Sequence, residues 1–325
     1  MKMKTAIASM MLGLAPSMLA QQPASTVIQV GPNGATPASM QRTITFSDQF
    51  CDGFITKEHI SAKNMIGGGI NTPDTARYNA GEFIFIMGDG MKIGDKLAVV
   101  RELNDPNRYE TFQGQHKLVR ATGLPYADIG HVSVVGHQNN AYIAKIDFSC
   151  EAVLPGDIVV PMPQRAQVNY EVPSRFDRFP SPNKDLEARI VLAKDFDATI
   201  GTGQKVYLNM GSEKGVKVGD YFRITRSFTA NLSSEVDALS YKSPMGDDTQ
   251  KVEPQLQTGR TFTYPGHPVV KIKDFPRVAL GELVVLNVTS TSSTAMVTFA
   301  LQDVQAGDTA ERIPGPNDAT TAEQK

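Results

Sequence analysis

The sequence predicts an all-β protein made of two tandem small antiparallel β-barrel modules that arose by internal duplication. Three observations carry this reading. Gly90 to Arg101 aligns without gaps on Gly215 to Arg226, and Lys92, Gly94, Asp95 and Arg101 recur as Lys217, Gly219, Asp220 and Arg226. Further on, Ile129-Gly130 opens a stretch closed by Gly156-Asp157, and Leu280-Gly281 opens one closed by Gly307-Asp308, with 26 positions between first and last Gly in both. Inside those stretches every second residue is apolar: Val132 and Val134 match Leu283 and Val285, then Ala144, Ile146 and Phe148 match Ala295, Val297 and Phe299. That period belongs to strands with one face on a core. A repeat kept in the same order marks a copied structural unit.

Taken from the N-terminus, residues 1–20 read as a signal peptide. Lys2 and Lys4 precede an apolar run from Thr5 to Leu19 that Pro16 interrupts and that is too short to anchor in a bilayer. Cleavage after Ala20 and cleavage after Ser17, with Ala15 at the −3 site, are both open. No later run reaches transmembrane length, so the expected location is periplasmic or extracellular in a bacterium. Cys51 and Cys150 are the only cysteines. In an oxidising compartment they are expected to form an intramolecular disulfide, with two buried thiols as the alternative.

Residues 21–44 are rich in Gln, Pro, Ala, Ser and Thr without core periodicity, and read as a disordered spacer. The first β module is expected over 45–162. A Pro-rich linker follows at 163–184, carrying Arg165, Arg175 and Arg178 with Tyr170, Phe176 and Phe179, suited to an extended connection packed across the modules. The second module spans 185–313. Gly94 to Gly130 covers 36 positions and Gly219 to Gly281 covers 62, so the second copy carries 26 extra residues, placed within an insertion at 227–268. Loops of that length are usually functional or disordered, which leaves a copy-specific contact surface or a solvated insertion. Residues 314–325 form a polar tail.

Four Gly-Asp pairs punctuate the modules: Gly94-Asp95, Gly156-Asp157, Gly219-Asp220 and Gly307-Asp308. They are expected to be structural turns, because Gly takes positive φ and an Asp carboxylate can accept backbone N–H bonds. Four carboxylates could also serve a metal or acid–base site, but turn chemistry accounts for the repetition without one.

With 32 basic and 34 acidic residues the net charge is −2, which offers no field for a nucleic acid. The sequence has no His-Glu-x-x-His, no Gly-x-Ser-x-Gly and no phosphate loop. Ser181-Pro-Asn-Lys184 matches a bare Ser-x-x-Lys, but its Pro and its place in the linker remove the helix that such a pair needs. His59, His116, His131, His137 and His267 lack ligand spacing. No catalytic residue, metal or cofactor is expected, and the chain reads as a non-enzyme. Arg108, Tyr109, Phe112, His116, Lys117 and Arg120 form a basic, aromatic stretch. From it and the neighbouring strand, Tyr109, Phe112 and Tyr126 are the candidate stacking surfaces for a sugar.

The pattern Gly-x-Lys-x-Gly-Asp, then a strand and Arg, then Gly with alternating apolar residues and a closing Gly-Asp, resembles the small β-barrel modules of the flagellar assembly protein T C-terminal domain. It is also similar to modules found beside LysM segments in bacterial envelope proteins. The likeness covers Gly81 to Val160 and Ala188 to Arg312. It implies SH3-like barrels in a periplasmic or surface accessory protein. The Tyr-x-Val-x-x-Gly-Asp-Thr LysM signature is absent, so no sugar-binding residues carry over. The expected function is therefore a non-catalytic scaffold or adaptor contacting one or more envelope proteins; the alternative is a peptidoglycan or glycan binder.

Overall fold

The apolar alternation closes into two barrels that share one strand circuit. The computed structural model describes residues 41–72, 74–172, 176–182, 185–227, 255–257, 261–264, 267–271 and 276–315. The described chain begins with β1 (Gln41–Thr43), a short helix α1 (Phe46–Phe50) and β2 (Phe54–Thr56). Thr45 caps α1: its hydroxyl accepts the Asp48 N–H at 3.1 Å and donates to the Asp48 carboxylate at 2.6 Å. This satisfies a donor that a helix start leaves unpaired.

Barrel 1 consists of β3 (Met65–Gly69), β4 (Phe83–Met87), β5 (Lys96–Glu102), β6 (Leu124–Gln138), β7 (Ala141–Ser149) and β8 (Ile158–Pro161). Helix α2 (Gln115–Thr122) lies in the connection between β5 and β6. The strands run β3-β4-β7-β6-β5-β8, β8 returns to β3, and β2 adds alongside β6. Next comes β9 (Asn169–Glu171), which pairs with β1.

Barrel 2 begins with β10 (Glu187–Ala193), β11 (Lys205–Leu208) and β12 (Tyr221–Arg226). A separate three-stranded antiparallel sheet, β13 (Gln255–Gln257), β14 (Thr261–Tyr264) and β15 (His267–Lys271), intervenes. The barrel is completed by β16 (Val278–Val288), β17 (Ser293–Ala300) and β18 (Thr309–Ile313). Its closed order, β10-β11-β17-β16-β12-β18, reproduces the barrel 1 circuit strand for strand.

Each barrel is filled by the inward half of the alternation. Ile84, Ile86, Ile129 and Ile146 are fully buried in the first, and Ile190, Phe222, Leu283 and Val297 in the second. Each such side chain contributes roughly 1.5–3 kcal/mol relative to exposure. Closing six strands this tightly needs a long strand that bends, and Gly130 and Gly281 supply the bend. A Cβ on Gly130 would lie 2.4 Å from the Phe148 carbonyl, and one on Gly281 would lie 2.1 Å from the Phe299 carbonyl. The β6–β7 and β16–β17 registers shift immediately beyond these glycines.

Two stretches differ from the sequence reading. The end of the expected spacer belongs to the fold, since residues 41–43 form β1 and Ile44 is buried against Val168, Tyr170, Val284 and Leu286. The linker is also partly regular: β9 pairs with β1, and this ribbon lies on barrel 2. Composition hides both, because a two-stranded ribbon needs few apolar side chains when another sheet covers it. The expected signal peptide, spacer residues 21–40 and most of the tail lie outside the described residues, as do 228–254 of the insertion. Among the described residues no helix is long and apolar enough to cross a membrane.

Candidate functional site

The four Gly-Asp pairs are turns of one construction. Gly94, Gly156, Gly219 and Gly307 have φ of 95°, 93°, 90° and 101°, the left-handed region that favours Gly. Each following carboxylate accepts the backbone N–H three residues upstream: Asp95 from Lys92 at 2.8 Å, Asp157 from Leu154 at 2.7 Å, Asp220 from Lys217 at 2.9 Å and Asp308 from Gln305 at 2.8 Å. The recurring Arg completes the pattern. Arg101 grips Asp157 through Nε at 2.7 Å and Nη2 at 2.8 Å, and Arg226 grips Asp308 at the same two distances. Each guanidinium also donates to a backbone carbonyl of the preceding loop, Ala152 or Asp303, at 2.9 Å. A repeated Arg beside a repeated Asp was the sequence signal for this clamp. Among the described residues, no three His, Cys, Asp or Glu side chains converge as a metal set.

The chemistry concentrates where the barrels meet. Cys51 and Cys150 form a disulfide with 5.7 Å between their Cα atoms, tying the end of α1 to the end of β7. Beside it, Arg165 from the linker bridges Asp52 and Asp128, donating to Asp52 through Nη1 and to both Asp128 oxygens through Nη2 at 2.9 and 3.2 Å. Asp128 also accepts the Gly53 N–H at 2.9 Å. All three charged side chains are buried. Burial pushes the Asp52 carboxyl well above its usual range, Arg165 pulls it back, and the neighbouring Asp128 adds to the rise. Asp52 Oδ2 and Arg165 Nε make no hydrogen bond.

Around this cluster a ladder of hydroxyls from barrel 2 satisfies the carbonyls of β2. Thr294 donates to Gly53 at 2.8 Å, while Thr289 at 2.8 Å and Ser292 at 2.5 Å both donate to Ile55. Thr291 donates to Thr122 at the end of α2 at 2.6 Å, and Gln115 at its start donates to the Val191 carbonyl at 3.0 Å. Apolar contacts run underneath: Ile55 with Leu118 and Val119 packs on Val191, Leu192 and Tyr207. The Tyr207 ring is fully buried, and its hydroxyl reaches the Asp52 carbonyl at 3.4 Å. No local pattern marks Arg165, Asp52 and Asp128 as partners, because Arg165 lies 113 residues from Asp52 and 37 from Asp128.

The candidate sugar-stacking residues are not brought together on one surface. Tyr109 is 87% exposed. Phe112 is buried, with its ring against Gly307 and beneath the Arg189 guanidinium at 4.2 Å, so it belongs to the barrel-to-barrel contact. Tyr126 is buried and stacked on Phe54 with ring centroids 5.5 Å apart. Aromatics flanked by basic residues read as exposed in one dimension, and the second barrel and β2 cover these two. Among the histidines, His131 is buried in a cage of Phe46, Phe50 and Phe148, and burial pushes its pKa down. His137 packs on Tyr142 at 4.4 Å.

A groove of about 330 Å³, lined by Glu187, Arg189, Asn209, Arg226 and Asp308, contains the Arg226 clamp and the Arg189 bond to the Gly307 carbonyl at 2.9 Å. No protein-family model and no curated protein sequence matches the chain. What the arrangement can do is therefore read from surfaces: a fixed pair of barrels, joined through buried polar contacts, with outward strand faces of unequal exposure.

Proposed function

We propose that the chain is an exported, non-catalytic protein of the bacterial cell envelope that acts as a scaffold or adaptor through its tandem barrels. The joint between the barrels carries the reading. A disulfide and a buried Asp–Arg–Asp cluster fix the segment that carries β2 on the first module, and a hydroxyl ladder from barrel 2 joins that segment to the second, an arrangement suited to presenting fixed surfaces. The disulfide supports export, because such bonds persist in oxidising compartments. The basic and apolar leader supports it too. The sugar-binding alternative loses two of its three rings to the interior, Phe112 and Tyr126.

The test is cell fractionation with photo-crosslinking from exposed strand positions Phe83 and Val135, followed by muramidase digestion. The expected result is protein in the exported fraction, crosslinked to envelope polypeptide and retained after the peptidoglycan is removed. Recovery in the cytosol, or retention that sugar fragments abolish, contradicts the reading.

A further inference from the structure

The Asp52–Arg165–Asp128 cluster does not balance as three ionised groups. Asp52 lies between α1 and β2, Asp128 on β6 and Arg165 on the linker, and their side chains are 0%, 7% and 5% exposed. One guanidinium facing two carboxylates leaves a net negative charge where water does not reach, and an uncompensated buried charge is strongly destabilising. The hydrogen bonds show the same deficit. Arg165 and the Gly53 N–H serve Asp128 and one oxygen of Asp52, while Asp52 Oδ2 meets no donor. Besides Arg165, the side chain within hydrogen-bonding reach of Asp52 is Asp128 itself. Two carboxylates cannot bond each other; a carboxyl and a carboxylate can.

Among the described residues no other charge makes up the difference. Lys205 on β11 is paired with Asp48 of α1 at 2.6 Å. His131, on β6 with Asp128, feels both Asp128 and Arg165, and burial lowers its pKa and favours the neutral ring. Tyr207 on β11 meets the cluster from barrel 2, where burial and the charges of Asp52 and Asp128 keep its phenol protonated. Asp147 on β7 and Asp195 after β10 add only negative charge, and Asp147 already accepts the Ser133 hydroxyl. The neighbouring Cys51 and Cys150 are joined and do not titrate. A single proton settles both deficits, because it neutralises the excess charge and gives Asp52 a bond to donate. Burial, opposed by Arg165 and helped by Asp128, raises the Asp52 carboxyl well above its usual range, in agreement with that count.

We propose that the joint between the barrels is a proton-loaded latch: one proton shared by Asp52 and Asp128 holds β2 against both barrels, and its loss in alkaline conditions releases β2. The link from proton to joint is the Gly53 peptide. Its N–H donates to Asp128 at 2.9 Å, and its carbonyl accepts the Thr294 hydroxyl of barrel 2 at 2.8 Å. Only Gly fits there, since its φ is 64° and a Cβ would stand 2.4 Å from the Tyr207 hydroxyl. Once the proton leaves, two carboxylates repel each other and compete for one guanidinium, and the Asp128 bond that seats Gly53 weakens. The folded chain binds this proton more tightly than the unfolded chain. Its stabilisation is therefore complete below the ordinary carboxyl value of 3.8 and is lost as pH rises through the raised folded value. The latch acts whatever partner the outer surfaces carry, so it goes beyond the scaffold reading and does not rest on it.

The experiment is infrared difference spectroscopy with hydrogen exchange on the full exported chain, disulfide intact, from neutral to alkaline pH. A Glu282→Gln background removes the other raised carboxyl, which burial lifts to about 7. At neutral pH the expected spectrum holds a protonated-carboxyl band that shifts in heavy water, fades as pH rises and is missing in Asp52→Asn. Over the same range the protection of the β2 amides should fall relative to both barrel cores, by up to about tenfold per pH unit, the limit for one proton. Asp52→Asn keeps a neutral donor toward Asp128 and should hold β2 protected throughout. Asp128→Asn leaves one carboxylate for one guanidinium and should also remove the band and flatten the profile, which gives a second variant if the first does not fold. If neither folds, the background protein decides, with band and β2 protection lost at one midpoint as the supporting result. No band at neutral pH, a band that survives either substitution, or β2 protection that follows the barrel cores across the range overturns the proposal. So does an Asp52→Asn protein that opens with pH as its parent does.

Discussion

Barrel 1 and barrel 2 have the same strand circuit, the same Gly-Asp turns and the same bending glycine, yet the outer surface that runs from their first two strands to the long bent strand is open in one and closed in the other. Phe85 is half-buried where Tyr207 is fully buried, and Val135 is exposed where Leu286 is not. The difference does not come from the barrel. It comes from what the chain lays over it: β2 and α2 on β10 and β11, and the β1–β9 ribbon with Ile44, Val168 and Tyr170 on β16 and β17. Duplication therefore conserved the core and the turns and left the outer faces free to diverge in what they touch.

The largest expected effect comes from the disulfide, which acts on the cover of barrel 2 more than on either core. Replacing Cys51 and Cys150 by Ser removes a cross-link between residues 99 apart, which is about 4 to 5 kcal/mol in the chain-entropy model. Denaturant unfolding measures the loss. Hydrogen exchange should then rise first along β2 and at Thr294, before the barrel 2 core; equal acceleration in both barrels breaks the comparison. Next come the clamps. Asp157→Asn and Asp308→Asn each disturb a two-bond Arg contact of the same geometry, so each should cost about 2 kcal/mol, and the two urea midpoints should move by equal amounts.

A pH experiment separates the barrels by sign. His131 and Glu282 are equivalent positions, one after each bending glycine, and both are buried. Burial raises the Glu282 carboxyl to about 7, against the pull of Arg223. The folded state thus holds a proton the unfolded state releases, so its stabilisation is present below about 4.5 and is lost as pH rises through about 7. Burial lowers the His131 pKa from 6.5, so its stabilisation is present above 6.5 and is lost as pH falls below it. Glu282→Gln should flatten the stability profile between pH 4.5 and 7, and His131→Phe should flatten it on the acid side of 6.5. Thermal melts across that range check it; slopes of the same sign contradict it. The smallest effect belongs to Tyr109→Ala, expected within about 0.5 kcal/mol of wild type, with unchanged retention on purified sacculi. A lost sacculus interaction would restore the sugar-binding reading.

Much of the architecture was legible because it is local or periodic. Asp95 and its three counterparts bond a backbone three residues away, so spacing alone predicts them. Gly130 and Gly281 stand where alternation must bend, and two cysteines leave one pairing. The candidate site was legible only in outline. Arg165 meets Asp52 across 113 residues, and no local pattern encodes that meeting. Thr289, Thr291, Ser292 and Thr294 read as an ordinary polar turn, yet they face the carbonyls of the other module. Phe112 and Tyr126 read as surface because their covering partners come from β2 and barrel 2. Val135 and Leu286 occupy the same place in the repeat, and nothing in the repeat says which one is covered.

The central claim is that one face was made twice and is closed once. Hydroxyl-radical footprinting of the dilute protein compares equivalent residues directly. The account predicts rapid modification of Phe85 and Val135, with Tyr207 and Leu286 protected until the protein unfolds. Equal modification of the two sets, or protection of the barrel 1 residues at the lowest concentration, would contradict it.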